Sequence, residues 1–302
     1  MRLAFVGAVE GSLVALTALI EQGHAPVVVV TLPPEASRRH SDFVDLRALA
    51  NSAGSAVHLT RDVNDPEVAA LLRTLQIDLT IVVGWSQICR ADFRSAASLG
   101  AIGYHPAPLP RMRGRAVIPW TILENVAETG STLFWLEDGA DTGAIIAQRR
   151  YPVAADETAR SLYEKHKAAM PALIGEAMAR IAAGDRLGDP QDEAAASLCA
   201  KRTEADGLID WHDDADAILR LIRAVGDPYP GAFTFCDGAR LTLDSARFFA
   251  PKGRYIGSIG QVQTHLPDGF TVLCGDGATI AVTAWRGSSR DRPKLHARLR
   301  QV

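Results

Sequence analysis

The 302-residue sequence predicts an α/β fold, a mostly parallel sheet with helices on both faces, followed by a smaller β-rich unit. Three observations carry this. Short, continuous apolar runs alternate with helical patterns through the first two hundred residues, as expected for strands buried on both faces. Beyond about residue 230 the pattern changes to short strands separated by Asp-Gly turns, the signature of a small barrel or sandwich. The length also exceeds what one modest core needs, so two domains are expected. They are placed at 1–185 and 206–302, with the Gly/Asp/Pro-rich stretch inside 186–205 as a linker.

In chain order, Leu3–Val6 reads as a strand and Leu13–Gln22 as a helix closed by Gly23, which suits the residue just past a helix end. Val27–Leu32 is a second buried strand, Val44–Ala53 is helical, Ala56–Leu59 extended and Pro66–Leu75 helical again. Leu79–Val83 and Ala101–Tyr104 are further apolar strands. Thr158–Ala183 is a long helix with an interruption expected near Pro171, and Ala215–Val225 is one more helix. Ala232–Phe235, Leu241–Leu243, Gly260–Val262, Phe270–Leu273 and Thr279–Ala284 follow as short strands.

Composition excludes several classes. A formal charge of −3 argues against bulk phosphate binding as the main business. The charge is uneven: residues 1–200 carry 18 basic and 23 acidic groups (−5), residues 201–302 carry 14 and 12 (+2). Arg286, Arg290, Arg292, Lys294, Arg298 and Arg300 face only Asp291, and read as a solvated basic tail. Cys89, Cys199, Cys236 and Cys274 show no metal-ligand spacing, so neither a disulfide framework nor a metal is expected. No apolar run could span a bilayer, and the start reads as a strand and not a signal peptide, which makes the cytoplasm the expected location.

In parallel sheets, ligands bind beyond the carboxyl ends of the strands. The first such turn, Gly7-Ala-Val-Glu-Gly11, is not G-x-G-x-x-G and reads as a tight turn. The informative segment is Ile102-Gly103-Tyr104-His105 and the proline-stiffened loop through Pro110, Arg113, Gly114 and Arg115. A histidine at a strand's carboxyl end is a candidate for proton transfer near neutrality. Asp141 follows His105 by thirty-six residues, in the segment Asp138-Gly139-Ala-Asp141-Thr-Gly143.

Together these segments resemble the 10-formyltetrahydrofolate-dependent formyltransferases, whose pattern runs Asn-x-His-x-x-Leu-Leu-Pro-x-x-(Arg/Lys)-Gly, then Asp-x-Gly-x-Asp-(Thr/Ala/Ser)-Gly. The likeness extends through Glu128–Thr132, Leu162–Lys167, Arg202–Trp211 and Pro228–Phe233, and so over nearly the whole chain. The resemblance implies a Rossmann-like catalytic domain and an OB-like C-terminal domain. It implies that His105 shuttles protons while Asp141 stabilises the imidazolium or positions a water. It also implies that 10-formyltetrahydrofolate lies against Ser86, Gln87, Ile88 and Cys89 on one side and Glu137, Asp138, Gly139 and Asp141 on the other. Pro110, Arg113 and Arg115 would then meet the acceptor, guanidinium groups suiting an anionic one.

One departure stands out: the family's Asn, two residues before the His, is Gly103. Loss of one oxyanion donor costs about 3–4 kcal/mol elsewhere. Ser86, Gln87, a water or the substrate could supply the contact. Otherwise the chain runs hydrolytic or different one-carbon chemistry, or only binds folate. For the acceptor, a small amine is placed first, on a nucleotide-linked amino sugar or a modified amino acid. Methionyl-tRNA is the alternative: the overall charge and the short Arg38-Arg39-His40 run speak against it, and the basic tail for it.

Overall fold

The computed structural model describes residues 1–39, 42–287 and 292–300. His40, Arg290 and Asp291, part of the charge pattern above, lie outside the described residues. The chain divides into two compact units. The first comprises Met1–Val117, Glu128–Pro152 and Tyr163–Ala200, the second Ile118–Ala127, Val153–Leu162 and Lys201–Val302. The segment 186–200 therefore packs within the first unit, and only 201–205 of the expected linker belong to the second.

The first unit is built on a seven-stranded sheet. Its strands are β1 (Leu3–Val6), β2 (Val28–Thr31), β3 (Ala56–Leu59), β4 (Leu79–Val82), β5 (Ala101–His105), β7 (Glu128–Trp135) and β8 (Ile145–Pro152), with the two-residue strand β6 (Arg113–Gly114) outside it. The order is β3-β2-β1-β4-β5-β7-β8; the first five run parallel, and β7 and β8 antiparallel. The helices are α1 (Glu10–Glu21), α2 (Arg47–Ser52), α3 (Pro66–Thr74), α4 (Ala91–Arg94), α5 (Val117–Leu123), of which only Val117 falls in this unit, and α6 (Ala159–Ala182), which belongs to it from Tyr163 onward.

The apolar runs are continuous because alternate residues enter two cores. Leu3, Phe5, Val29, Leu79, Ile81 and Ile102 pack with α1 and α6 through Leu16, Leu19, Leu173 and Ala177. Ala4, Val6, Val28, Val30, Val82 and Ala101 face the other way, onto Val68, Leu72 and Phe93. Burying one such side chain contributes about 1.5–3 kcal/mol.

Two expectations are corrected here. Pro171 lies inside α6 without ending it, and Gln22 Nε2 donates to its carbonyl at 2.9 Å. The sheet also ends in the antiparallel pair β7–β8, which the apolar runs of the sequence do not predict. The first turn is closed by a serine: Ser12 Oγ accepts from Ala8 and Val9 N–H at 3.1 Å each and donates to the Val83 carbonyl at 2.7 Å. A Cβ on Gly7 would lie 2.6 Å from Ser12 Oγ and from the Val83 carbonyl oxygen, so glycine is required there. A tight turn is what the residues build.

The second unit contains α7 (Ala215–Val225) and a five-stranded antiparallel sheet in the order β10-β11-β14-β13-β12. The ranges are β10 (Ala232–Cys236), β11 (Ala239–Ala250), β12 (Val262–Leu266), β13 (Gly269–Leu273) and β14 (Thr279–Gly287), while β9 (Leu198–Cys199) belongs to the first unit. Asp237 and Gly238 both take positive φ, which a two-residue hairpin turn demands. The two edges are bridged by the C-terminal segment, Phe235 with Arg300 and Gln261 with Arg298. What the sequence reads as a solvated tail is therefore, in its described part, a strand-like closure with Leu299 buried and Lys294, Arg298 and Arg300 outward. No described helix is long and apolar enough to cross a membrane.

Candidate active site

The order of strands reverses between β1 and β4, and β4 and β5 both end at the edge where parallel sheets place ligands. His105 is the last residue of β5 and is only 4% exposed. Its Nε2 lies 2.7 Å from the Met112 carbonyl oxygen. A carbonyl can only accept, so Nε2 carries a proton and Nδ1 is the nitrogen left for chemistry. Nδ1 faces Asp141 Oδ2 at 3.5 Å. That same oxygen accepts from Gly114 N–H at 2.8 Å. An imidazolium at His105 would thus be held between a carbonyl and a carboxylate.

Glycines make this approach possible. Gly114 has φ +103°, and a Cβ there would lie 2.5 Å from the Cys199 carbonyl oxygen. A Cβ on Gly143 would come within 1.7 Å of the Trp135 carbonyl oxygen, which explains the glycine that ends the second motif. Asp141 itself has φ +57°, a left-handed conformation uncommon for a residue with a side chain.

The loop carrying Pro110 is tied to the sheet by two side chains. Thr132 Oγ1 donates to Ala107 O at 2.7 Å, and Gln148 Nε2 donates to Leu109 O at 2.9 Å. Tyr104, alternating with His105, points to the opposite face and meets Ser131 Oγ at 2.9 Å and His166 Nδ1 at 3.2 Å. Burial pushes its phenol well above the ordinary range, so it stays protonated.

The loop after β4 holds Ser86, Gln87, Ile88 and Cys89. Ser86, Gln87 and Ile88 are exposed and Cys89 is buried, its thiol pushed up to about 12 by desolvation. Gln87 is not aimed at a reacting centre. Its Oε1 accepts from Val63 N–H and Trp85 Nε1, both at 2.9 Å, and its Nε2 donates to Arg61 O at 3.0 Å. Asn64 donates to Ile88 O at 3.0 Å and accepts from Arg90 N–H at 2.7 Å. Glu137, Asp138 and Gly139 are exposed. Arg94 joins the two loops: it donates to Cys89 O at 2.7 Å and Glu137 O at 3.0 Å and pairs with Asp138.

Gly103 shares the His105 face of β5, two residues away. A Cβ there would lie 2.5 Å from Leu136 Cδ2 and 3.3 Å from Phe134 Cζ, so Leu136 occupies the space an asparagine would need. Of the two arginines read as acceptor-binding, Arg115 is exposed. Arg113 is 4% exposed and turned inward, its guanidinium bonded to Gln191 and Glu193 at 2.7–3.1 Å. Arg94, Asn64, Gln148, Gln191 and Glu193 all escaped the sequence reading, because each lies outside the motif it supports. Among the described residues no group of three His, Cys, Asp or Glu is placed to hold a metal.

Comparison with known proteins agrees with this geometry. Residues 1–178 match the formyl transferase family model, and residues 201–292 match the formyl transferase C-terminal domain model. The methionyl-tRNA formyltransferase of Anaeromyxobacter dehalogenans is 34% identical over 285 residues, covering 94% of this chain and 91% of the relative. Among solved structures, HypX from Aquifex aeolicus in complex with tetrahydrofolic acid has a TM-score of 0.66 at 19% identity. The match covers 96% of this chain and only 45% of HypX. The N-formyltransferase from Helicobacter canadensis, in complex with folinic acid and dTDP-3-aminofucose, has a TM-score of 0.65 at 18% identity, covering 94% and 99% of the two chains. The paired motifs, the strand-end histidine and both family-model matches converge: the chain belongs to the formyl transferase family.

Proposed function

We propose that the protein transfers a formyl group from 10-formyltetrahydrofolate to the amine of methionyl-tRNA. The observation that carries the chemistry is the His105–Asp141 pair, with Nδ1 facing the carboxylate and Nε2 fixed on the Met112 carbonyl. The acceptor's amine attacks the formyl carbon, forming the new C–N bond and a tetrahedral oxyanion. His105 Nδ1 takes the amine's proton, and Asp141 stabilises the imidazolium. Collapse breaks the bond to folate N10, and the proton passes to that departing nitrogen. The donor's pterin lies between the backbone of Gln87, Ile88 and Cys89 and that of Glu137 to Asp141. Ser86 and Arg115, both exposed, are free to meet substrate, and Pro110 shapes the entrance. Residues 1–185 carry the reaction and residues 206–302 engage the acceptor.

The choice of acceptor rests on the 34%-identical relative and on the outward Lys294, Arg298 and Arg300, which suit a polyanion. A nucleotide-linked amino sugar, placed first by sequence, ranks behind, because the Helicobacter protein is similar at 18% identity only. A modified amino acid ranks behind as well. The test is tetrahydrofolate release by the purified protein. Release should require methionyl-tRNA and yield N-formylmethionyl-tRNA. Release with a dTDP-amino sugar instead would reassign the acceptor. Formate without any acceptor would make the protein a hydrolase, and folate binding without turnover a binding relative.

A further inference from the structure

Asp141 is held through its carboxylate by Gly114 and through its backbone by a residue far along the chain. Gln191 Nε2 donates to the Asp141 carbonyl at 2.8 Å and to the Gly143 carbonyl at 2.7 Å. Its other end, Oε1, accepts from Arg113 Nε at 3.1 Å and Nη2 at 2.8 Å. Glu193 completes the pairing, with Oε2 at 2.9 Å from Arg113 Nη1 and Oε1 at 2.7 Å from Nη2. Both of Gln191's donors and its acceptor are thus used, which fixes its amide orientation without ambiguity. The same segment grips the other side of the first loop: Ser197 Oγ accepts from Met112 N–H at 2.8 Å, and β6 pairs with β9. Met112 is the residue whose carbonyl holds His105 Nε2. The segment from Gln191 to Cys199 therefore contacts the partners of both catalytic groups, and it falls between the two family-model matches, which end at 178 and resume at 201.

We propose that Gln191 is a positioning residue for the formyl-transfer reaction, holding the left-handed backbone of Asp141 in register with His105, and that buried Arg113 serves this clamp and does not bind the acceptor. Asp141's conformation is one that a free loop would rarely hold. Two charge-assisted bonds from a guanidinium, itself fixed by Glu193, keep Gln191 from rotating away. Displacing a catalytic group by about 1 Å costs about 10²-fold in rate. The inference rests on the role proposed for Asp141.

The test compares Gln191→Met, which removes both ends of the amide at similar volume, with Gln191→Glu. The latter keeps the acceptor for Arg113 and turns an oxygen on the two carbonyls. Each should lower kcat about 10–100-fold while the KM for 10-formyltetrahydrofolate stays within about twofold. In an Asp141→Asn background the same changes should alter kcat less than about twofold, since the group being positioned is already lost. Wild-type kcat in either variant, or full additivity with Asp141→Asn, would overturn the proposal. Amide exchange at Gly114, the donor to Asp141, reads the clamp without turnover: it should accelerate about tenfold or more in Gln191→Met with the β1–β5 amides unchanged. Unchanged exchange at Gly114 would overturn the positioning role. A wild-type protein that formylates no amine would overturn only the reading of the reaction, and the exchange result would still decide the place of Gln191.

Discussion

The loops that follow β4 and β5 leave adjacent strands of one sheet, yet they are immobilised by different means. The β4 loop is pinned by polar side chains close at hand: Gln87 ties it to residues 61–63, Asn64 takes the Ile88 carbonyl, and Arg94 takes that of Cys89. The β5 loop is stiffened by prolines, anchored to β7 and β8 by Thr132 and Gln148, and clamped by a segment some eighty residues away. The first arrangement fixes backbone amides and carbonyls while leaving Ser86 and Ile88 exposed, which suits the donor-binding role proposed for this loop. The second fixes two side chains, His105 and Asp141, against each other. Substitutions in the first region should therefore act on donor binding, and those in the second on the rate of transfer.

The largest effect is expected at His105. Replacement by Asn should lower kcat about 10²–10⁴-fold, the usual range for loss of a general acid–base group, with donor affinity little changed. Stopped-flow or quench measurement of formyl transfer beside equilibrium folate binding checks both halves. Next comes Arg94→Met, which frees the Cys89 and Glu137 carbonyls and unpairs Asp138. It should raise the KM for 10-formyltetrahydrofolate about tenfold and change kcat at saturation little. An equal fall in kcat would show that the β4 loop is not a binding element alone. The smallest change is expected at Gly103. Because Leu136 fills the adjacent space, Gly103→Asn alone should cost about 1–3 kcal/mol of stability, seen as a lower midpoint in urea. Paired with Leu136→Ala it should recover that stability and transfer formyl faster than Leu136→Ala alone.

Much of this difference between the loops was legible in the sequence, and some was not. The parallel strands were visible because both their faces are buried, leaving uninterrupted apolar runs such as Leu79–Val82. The strand β7 is hidden because it opens Glu-Thr-Gly-Ser-Thr, a polar run in which Glu128 is exposed while Ser131 and Thr132 are buried with their hydroxyls hydrogen-bonded. Its neighbour β8 lies at the sheet edge, and Arg149 and Arg150 are exposed there. Pro171 misled because a proline's missing N–H is tolerated where packing on both sides already holds the helix. His105 and Asp141 announced themselves by motif. Gln191 and Glu193 could not, since nothing in an isolated Gln-Asp-Glu shows that an arginine 78 residues earlier will turn inward to meet it. The partners of Arg113 are hidden for the same reason: a guanidinium in a motif looks alike whether its partner is a ligand or another part of the chain.

The central claim is that the His105 and Asp141 side chains move the proton in formyl transfer, while the folate is held by backbone groups of the two loops. Single-turnover transfer by Asp141→Asn, with 10-formyltetrahydrofolate binding measured on the same samples, tests it most directly. The account predicts donor affinity within about threefold of the wild type and a transfer rate lower by about 10²-fold or more. Transfer at the wild-type rate, or a loss explained wholly by weaker donor binding, would contradict it.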